Sequence, residues 1–149
     1  LGKVCLSSLN TWSGPKWTTV MHIGSILLSI QSILTKNPLH NEPGFENENG
    51  NRNEYYNIIV EYENYCHLIK KNGFNIHPEF NCFREPIYNH LKTNKKSILE
   101  KLEVLSDKYP KPTKITLNVY GLMKILEYPK LKEDIKEIFE SPDFKPNLI

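Results

Sequence analysis

The sequence contains no alanine and only three cysteines, at positions 5, 66 and 82, which show no CxxC spacing and cannot pair off evenly. This cysteine usage disfavours a disulfide framework and fits a reducing compartment, so we expect a cytoplasmic protein, with the nucleus as an alternative. No apolar run approaches the roughly 20 residues that span a bilayer. The longest run, residues 23–34, is interrupted by glycine, serine and glutamine, and we expect no membrane partner.

An excess of charge of one sign is also missing. The 19 basic and 17 acidic residues leave a formal net charge of only +2. Nucleic-acid binding through the phosphate backbone needs a basic patch or stripe, and the chain has none, so we expect no nucleic-acid partner. Glycine patterns for phosphate or dinucleotide binding are absent, as is the HExxH zinc motif.

One group of residues could be considered for zinc: Cys66, His67, His77 and Cys82. The spacings match no standard ligand pattern, and an ordinary thiol with surface imidazoles explains them better. We therefore predict no metal and no bound cofactor.

The pattern of apolar residues favours a chain that is mostly helical. A length of 149 residues suits one domain with a real core. Apolar positions at three- and four-residue steps predict five helices, at residues 20–35, 54–71, 79–91, 95–108 and 130–140. We expect the apolar stripe of the first helix to face the core, and this stripe consists of Val20, Ile23, Leu27, Ile30 and Leu34. Gly73 is expected to end the second helix. Residues 3–9 predict a short extended run within a loop-rich segment, residues 1–19. Residues 36–53 are polar and predict a loop. Residues 115–127 are ambiguous: Ile115, Leu117 and Val119 alternate as in a strand, but we favour a helix because Leu122, Ile125 and Leu126 have helical spacing.

The stretch most informative about function is GKVCLSSLNTW, residues 2–12. A lone cysteine such as Cys5 is by itself weak evidence, because cysteine is among the most buried residue types and is usually inert. Here a second tryptophan, Trp17, the helical stretch ILLSIQSIL and the turn HNEPGF follow in close order. Together these blocks resemble the active-site half of the ubiquitin-conjugating enzymes.

The resemblance is strongest to the giant hybrid conjugating enzymes of the BRUCE/Apollon type, in residues 2–6, 9–12, 16–17, 29–34 and 41–46, and again in 82–99. It covers residues 1–105, which we interpret as the carboxy-terminal part of the conjugating core with a helical extension typical of that branch. Residues 106–149 resemble nothing we can name and are treated as a helical extension of unknown role. The combination of blocks is specific, whereas no single block would suffice.

The resemblance implies that Cys5 accepts ubiquitin from an activating enzyme as a thioester and passes it to a lysine of a protein substrate. It implies that Glu42, in the turn that faces the thiol in this family, offers a carboxylate to the incoming lysine; a solvent-exposed loop charge is the alternative. Trp17 and Thr18 match the loop that meets ubiquitin ligases, whereas Trp12 is expected to cover the end of the core. ATP is consumed by the activating enzyme, so no cofactor is expected here.

The sequence departs from the family in one respect. The family places a His-Pro-Asn-like motif, whose asparagine supports the oxyanion, about ten residues before the cysteine, and only four residues precede Cys5. The implied fold is the α+β ubiquitin-conjugating fold, and we expect this chain to be mostly α-helical because the first helix and most of the antiparallel sheet would lie upstream. The alternative function is a catalytically inactive relative that binds or scaffolds proteins of the ubiquitin pathway.

Overall fold

A computed structural model describes residues 4–71, 77–142 and 144 of the chain. The chain forms two compact units, residues 1–49 and residues 50–149, and each is described by itself. The boundary that we predicted between residues 105 and 106 marks where the family resemblance ends. The division into compact units does not test that boundary, which stays a prediction.

Over its described residues, 4–49, the first unit contains one α-helix, α1 (Ile23–Ser32), between two short 3-10 turns, Ser7–Leu9 and Pro38–Asn41. The helix begins three residues later than predicted. Residues 18–21 form a separate turn in which the Met21 N–H donates to the Thr18 carbonyl at 3.0 Å. At the start of the helix, the Ser25 hydroxyl accepts a hydrogen bond from the His22 N–H at 3.5 Å. A serine side chain at this third helical position accepts a hydrogen bond from a backbone N–H that has no partner within the helix.

The prediction that the apolar stripe of α1 faces a core is wrong for most of its residues. Ile26 is the buried residue of the helix, at 5% exposure, whereas Ile23 and Leu27 are 71% and 59% exposed. Val20 and Leu34, which we placed on the same stripe, lie outside the helix and are also exposed. Helical periodicity identifies an apolar face, but it does not say whether this chain covers that face.

The second unit begins with α2 (Asn51–Asn64), which continues as a π-helical segment, Tyr65–Lys71. The predicted stop at Gly73 lies outside the described residues. A 3-10 segment, Pro78–Phe83, leads directly into α3 (Arg84–Lys108). The two helices that we predicted at 79–91 and 95–108 are therefore one, because no glycine or proline between them interrupts the backbone hydrogen bonds.

A β-hairpin replaces the helix that we predicted at 115–127. Strand β1 (Thr113–Leu117) pairs antiparallel with β2 (Leu122–Leu126), with Leu117 opposite Leu122. Tyr120 and Gly121 both have positive φ, 54° and 62°, and the Leu122 N–H donates to the Val119 carbonyl across them at 3.1 Å. Two consecutive residues of positive φ make the tight turn that suits the twist of a hairpin, so the strand-like alternation was the correct signal.

The core of the second unit lies between the helices and one face of the hairpin. The last helix, α4 (Tyr128–Glu140), buries one side, and Tyr128 and Ile135 are completely buried. The Tyr128 ring packs edge-on against Tyr62 of α2, with ring centres 5.1 Å apart. The fully buried residues of this unit also include Leu102 and Leu126.

The expectation of a mostly helical chain with little sheet is confirmed for the described residues, which contain one two-stranded antiparallel sheet. None of the helices in residues 4–71 and 77–142 combines the length and the apolar character that crossing a membrane requires.

Candidate functional site

Cys5 is an exposed free thiol just before the 3-10 turn Ser7–Leu9. We predicted an extended run there, but the chain instead turns back on itself after Leu6. The Leu6 carbonyl accepts the N–H of Leu9 at 3.1 Å and the N–H of Thr11 at 3.2 Å. Cys5 therefore lies directly before a small loop that closes between Leu6 and Thr11.

The Thr11 side chain holds the backbone on both sides of Cys5. Its hydroxyl accepts a hydrogen bond from the Leu6 N–H at 2.9 Å and donates to the Val4 carbonyl at 2.6 Å. These two groups belong to the peptide bonds that precede and follow the Cys5 Cα atom. The Leu6 carbonyl also lies 3.1 Å from the same hydroxyl.

Two residues with positive φ allow the loop to close. Asn10 follows the 3-10 turn with a φ of 56°, and asparagine tolerates this left-handed conformation better than most residues. Gly14 has a φ of +132°, and a Cβ atom built there would lie 3.1 Å from the Ser7 Cβ. Because of its conformation and this close approach, position 14 favours glycine.

The turn after α1, residues 41–46, is anchored to the end of that helix. Leu39, just before it, is completely buried. The Asn41 side-chain amide donates to the Ile33 carbonyl at 2.9 Å and to the Thr35 hydroxyl at 3.2 Å. Hydrogen bonds from backbone N–H groups, its own and that of Gly44, lower the pKa of the Glu46 carboxyl below its ordinary value.

Glu42 lies in this turn, directly after the 3-10 segment Pro38–Asn41, and is partly buried. Its N–H donates to the Leu39 carbonyl and its carbonyl accepts from the Phe45 N–H, both at 3.0 Å. The backbone at Glu42 is thus held at both its donor and its acceptor. The role of its carboxylate toward a lysine stays a prediction.

The two tryptophans and Thr18 lie on the surface. Trp17 is 45% exposed, which is compatible with the predicted partner contact, and Thr18 beside it is exposed as well. Trp12 is 52% exposed, so the expectation that it covers the end of the core is wrong. Both tryptophans lie within residues 10–19, where every other residue is polar, glycine or proline. This lack of neighbouring aliphatic residues is a signal against burial.

The other two thiols have different surroundings from Cys5. Cys66 is partly buried in the π-helical segment, and burial raises the pKa of its thiol, with the nearby Glu63 carboxylate adding to the shift. Cys82 is exposed in the 3-10 segment before α3. Within the described part of the chain, no group of three or more metal-ligating side chains stands close enough to hold a metal ion.

Curated relatives of the chain are found in animals and plants. It is 52% identical over 63 residues, 42% of this chain, to human "Ubiquitin-conjugating enzyme E2 Z". It is 33% identical over 115 residues, 71% of this chain, to "Probable ubiquitin-conjugating enzyme protein 17" of Caenorhabditis elegans. It is also 33% identical over 113 residues, 68% of this chain, to human "Dual E2 ubiquitin-conjugating enzyme/E3 ubiquitin-protein ligase BIRC6". This last relative has both activities in its name, as expected for a hybrid branch.

The chain spans only a small part of each of these relatives. The matched stretch is 18% of the human E2 Z protein, 15% of the worm protein and 2% of BIRC6. No protein-family model matches the chain.

Proposed function

The chain is a homologue of the ubiquitin-conjugating enzymes, and on that premise we propose that it carries ubiquitin on Cys5 and transfers it to a lysine of a protein substrate. The observation that supports this role is the exposed Cys5 thiol on a closed loop. A carrier thiol has to be reached by two large partners in turn. The nucleophile of a carrier enzyme therefore has to be exposed and held in place at the same time.

The chemistry consists of two exchanges at one sulfur atom. In the first, the Cys5 thiolate attacks the ubiquitin carbonyl carbon held by the activating enzyme, a new S–C bond forms and the enzyme's thiol leaves. In the second, a lysine amine attacks the same carbon, an amide bond forms and the Cys5 thiolate leaves. Each step passes through an oxyanion, so positioning and charge stabilisation supply most of the catalysis.

Two further residues have proposed roles in this function. The Glu42 carboxylate would help to desolvate the incoming lysine and accept its proton. Trp17 and Thr18, both exposed, would contact a ubiquitin ligase, since tryptophan is enriched among the residues that carry most of the binding energy at protein interfaces. The ATP is used by the activating enzyme, and this chain would need no cofactor of its own.

For the fold we propose the α+β architecture of the ubiquitin-conjugating enzymes. The described helices and antiparallel hairpin are compatible with that class. For location we propose the cytoplasm or the nucleus, where the unpaired thiols Cys5, Cys66 and Cys82 would stay reduced.

A charging assay tests the function. The full-length gene product is mixed with activating enzyme, ATP and ubiquitin, and the products are separated on a gel without reductant. We expect an adduct that disappears with a thiol reductant, and in Cys5→Ser we expect either no adduct or one that resists the reductant. Cys82→Ser, which also removes an exposed thiol, is the matched control and should charge normally. No adduct in the wild-type protein, with a control enzyme charging in parallel, would exclude the carrier function.

The alternative is an inactive relative that binds proteins of the ubiquitin pathway. The exposure of Trp12 and Trp17 is compatible with such a role. The alternative predicts that a wild-type protein that does not charge still binds ubiquitin or a ligase, and that Cys5→Ser leaves this binding unchanged.

A further inference from the structure

We propose that Thr11 is a positioning residue for Cys5, and this inference rests on the proposed function of Cys5. The Thr11 hydroxyl bridges the two peptide groups that flank the Cys5 Cα atom. It accepts from the Leu6 N–H at 2.9 Å and donates to the Val4 carbonyl at 2.6 Å. A residue's two backbone dihedrals are rotations between its flanking peptide planes. Tying both planes to one oxygen atom therefore restricts both dihedrals of Cys5 together.

The restriction determines the direction in which the thiol points. The Cα–Cβ bond has a fixed geometry relative to the two peptide planes, so fixing the planes leaves the Cys5 side chain with only rotation about χ1. Thr11 is itself held, because its N–H donates to the Leu6 carbonyl at 3.2 Å. The side chain and the main chain of Thr11 thus close the same loop at three backbone groups.

The bridge matters for an exchange between large thioester partners. The Cys5 sulfur has to approach a carbonyl carbon that the activating enzyme holds in one orientation, and later present its own thioester to a lysine. A misplacement of about 1 Å in such a geometry costs on the order of a hundredfold in rate. A small alkylating reagent approaches from any direction, so its reaction with an exposed thiol needs no such orientation.

The test compares Thr11→Val, which has nearly the same shape but no hydroxyl, with Thr11→Ser, which keeps the hydroxyl. Thr116→Val makes the same chemical change at an exposed position of β1 and is the matched control. In the full-length gene product, we expect Thr11→Val to slow single-turnover thioester formation about tenfold or more. The loss should fall on the maximal single-turnover rate, with the concentration of activating enzyme that gives half of that rate unchanged. Thr11→Ser and Thr116→Val should stay within about twofold of wild type.

Two further readouts separate positioning from loss of structure. Alkylation of Cys5 by iodoacetamide, measured on the peptide that contains it, should change by less than about twofold in Thr11→Val. Hydrogen exchange at the Leu6 amide should be slow in wild type and Thr11→Ser and faster in Thr11→Val. Normal charging by Thr11→Val, or equal losses in charging and alkylation, would overturn the proposal.

The Leu6 exchange measurement also keeps this inference separate from the proposed function. If the wild-type protein does not charge, the carrier function of Cys5 is excluded and with it the catalytic importance of Thr11. A Leu6 amide that exchanges equally fast in wild type and Thr11→Val would exclude the bridge itself, whatever the charging assay shows.

Discussion

Gly14 lies directly against Ser7, so that a Cβ atom at position 14 would stand 3.1 Å from the Ser7 Cβ. This contact brings the chain after the first tryptophan back onto the turn that follows Cys5. Together with the bonds of Thr11, it makes residues 4–14 a closed loop. These contacts hold the backbone on both sides of the thiol.

Gly14→Ala should therefore impair charging. Alanine at a φ of +132° is strained, and its methyl group would press on Ser7. Backbone strain of this kind costs about 1–3 kcal/mol. We expect slower thioester formation at Cys5 in a single-turnover assay. Gly121→Ala, at a position of positive φ with open space around it, should leave charging unchanged although it destabilises the hairpin. Equal charging rates in the wild type and Gly14→Ala would show that the loop does not need this contact.

Glu42→Gln should slow the transfer step and leave the loading step unchanged. If the carboxylate accepts the proton of the lysine amine, its loss should reduce discharge to free lysine by about tenfold or more. The assay starts from protein already charged with ubiquitin and follows the decay of the thioester. Glu137→Gln, an exposed position on α4, is the control. Unchanged discharge in Glu42→Gln would mean that this side chain is an ordinary loop charge.

Trp17→Ala should weaken the contact with a ubiquitin ligase. Truncating a hot-spot tryptophan typically costs about 2 kcal/mol or more of binding free energy. We expect ligase-stimulated discharge to fall while unstimulated charging stays normal. Trp12→Ala removes a ring of similar exposure and should have the smaller effect. A larger effect at Trp12 than at Trp17 would show that Trp17 is not the main ligase contact.

The stability of the second unit should fall at alkaline pH. Burial raises the pKa of the Tyr62 phenol from 10.0 to about 12, and burial also raises the pKa of Tyr128. At pH values between the unfolded-state and the folded-state pKa of such a tyrosine, the folded protein binds more protons than the unfolded protein. The free energy of unfolding therefore decreases as the pH rises through this range. Urea unfolding should show full stability below about pH 10 and a progressive loss above it.

Tyr62→Phe is the control for this pH dependence. The variant lacks the phenol that titrates, so its stability should decline less steeply above pH 10.0. At neutral pH it should be less stable by roughly 1 kcal/mol, because the Glu127 N–H donates to the Tyr62 hydroxyl at 3.2 Å in the native protein. A pH dependence identical to that of the wild type would show that Tyr62 does not contribute.

The sequence predicted the helices of the second unit better than it predicted the hairpin. Periodic apolar residues located the starts of α2 and α4 to within three residues, because helix spacing is a local property. They placed α3 in the right region but divided this single helix into two. The hairpin was missed because Leu122, Ile125 and Leu126 also fit a helix. The positive φ of Tyr120, which makes the turn, is unusual for an aromatic residue.

For the candidate site, the sequence singled out Cys5, Glu42, Trp17 and Thr18 through a resemblance spread over several blocks. It did not reveal the hydrogen bonds of Thr11, because a threonine between two loop residues has no distinctive pattern. Its contacts to Val4 and Leu6 arise only when the loop closes. The exposure of the α1 face was also beyond the sequence, since periodicity marks an apolar face but not what covers it.

The central claim is that Cys5 carries ubiquitin, and the most direct measurement is the intact mass of the protein after incubation with activating enzyme, ATP and ubiquitin. Wild type and Cys82→Ser should each gain the mass of one ubiquitin, and a thiol reductant should remove it. Cys5→Ser should gain no adduct that the reductant removes. A reductant-sensitive adduct that persists in Cys5→Ser and disappears in Cys82→Ser would contradict the account.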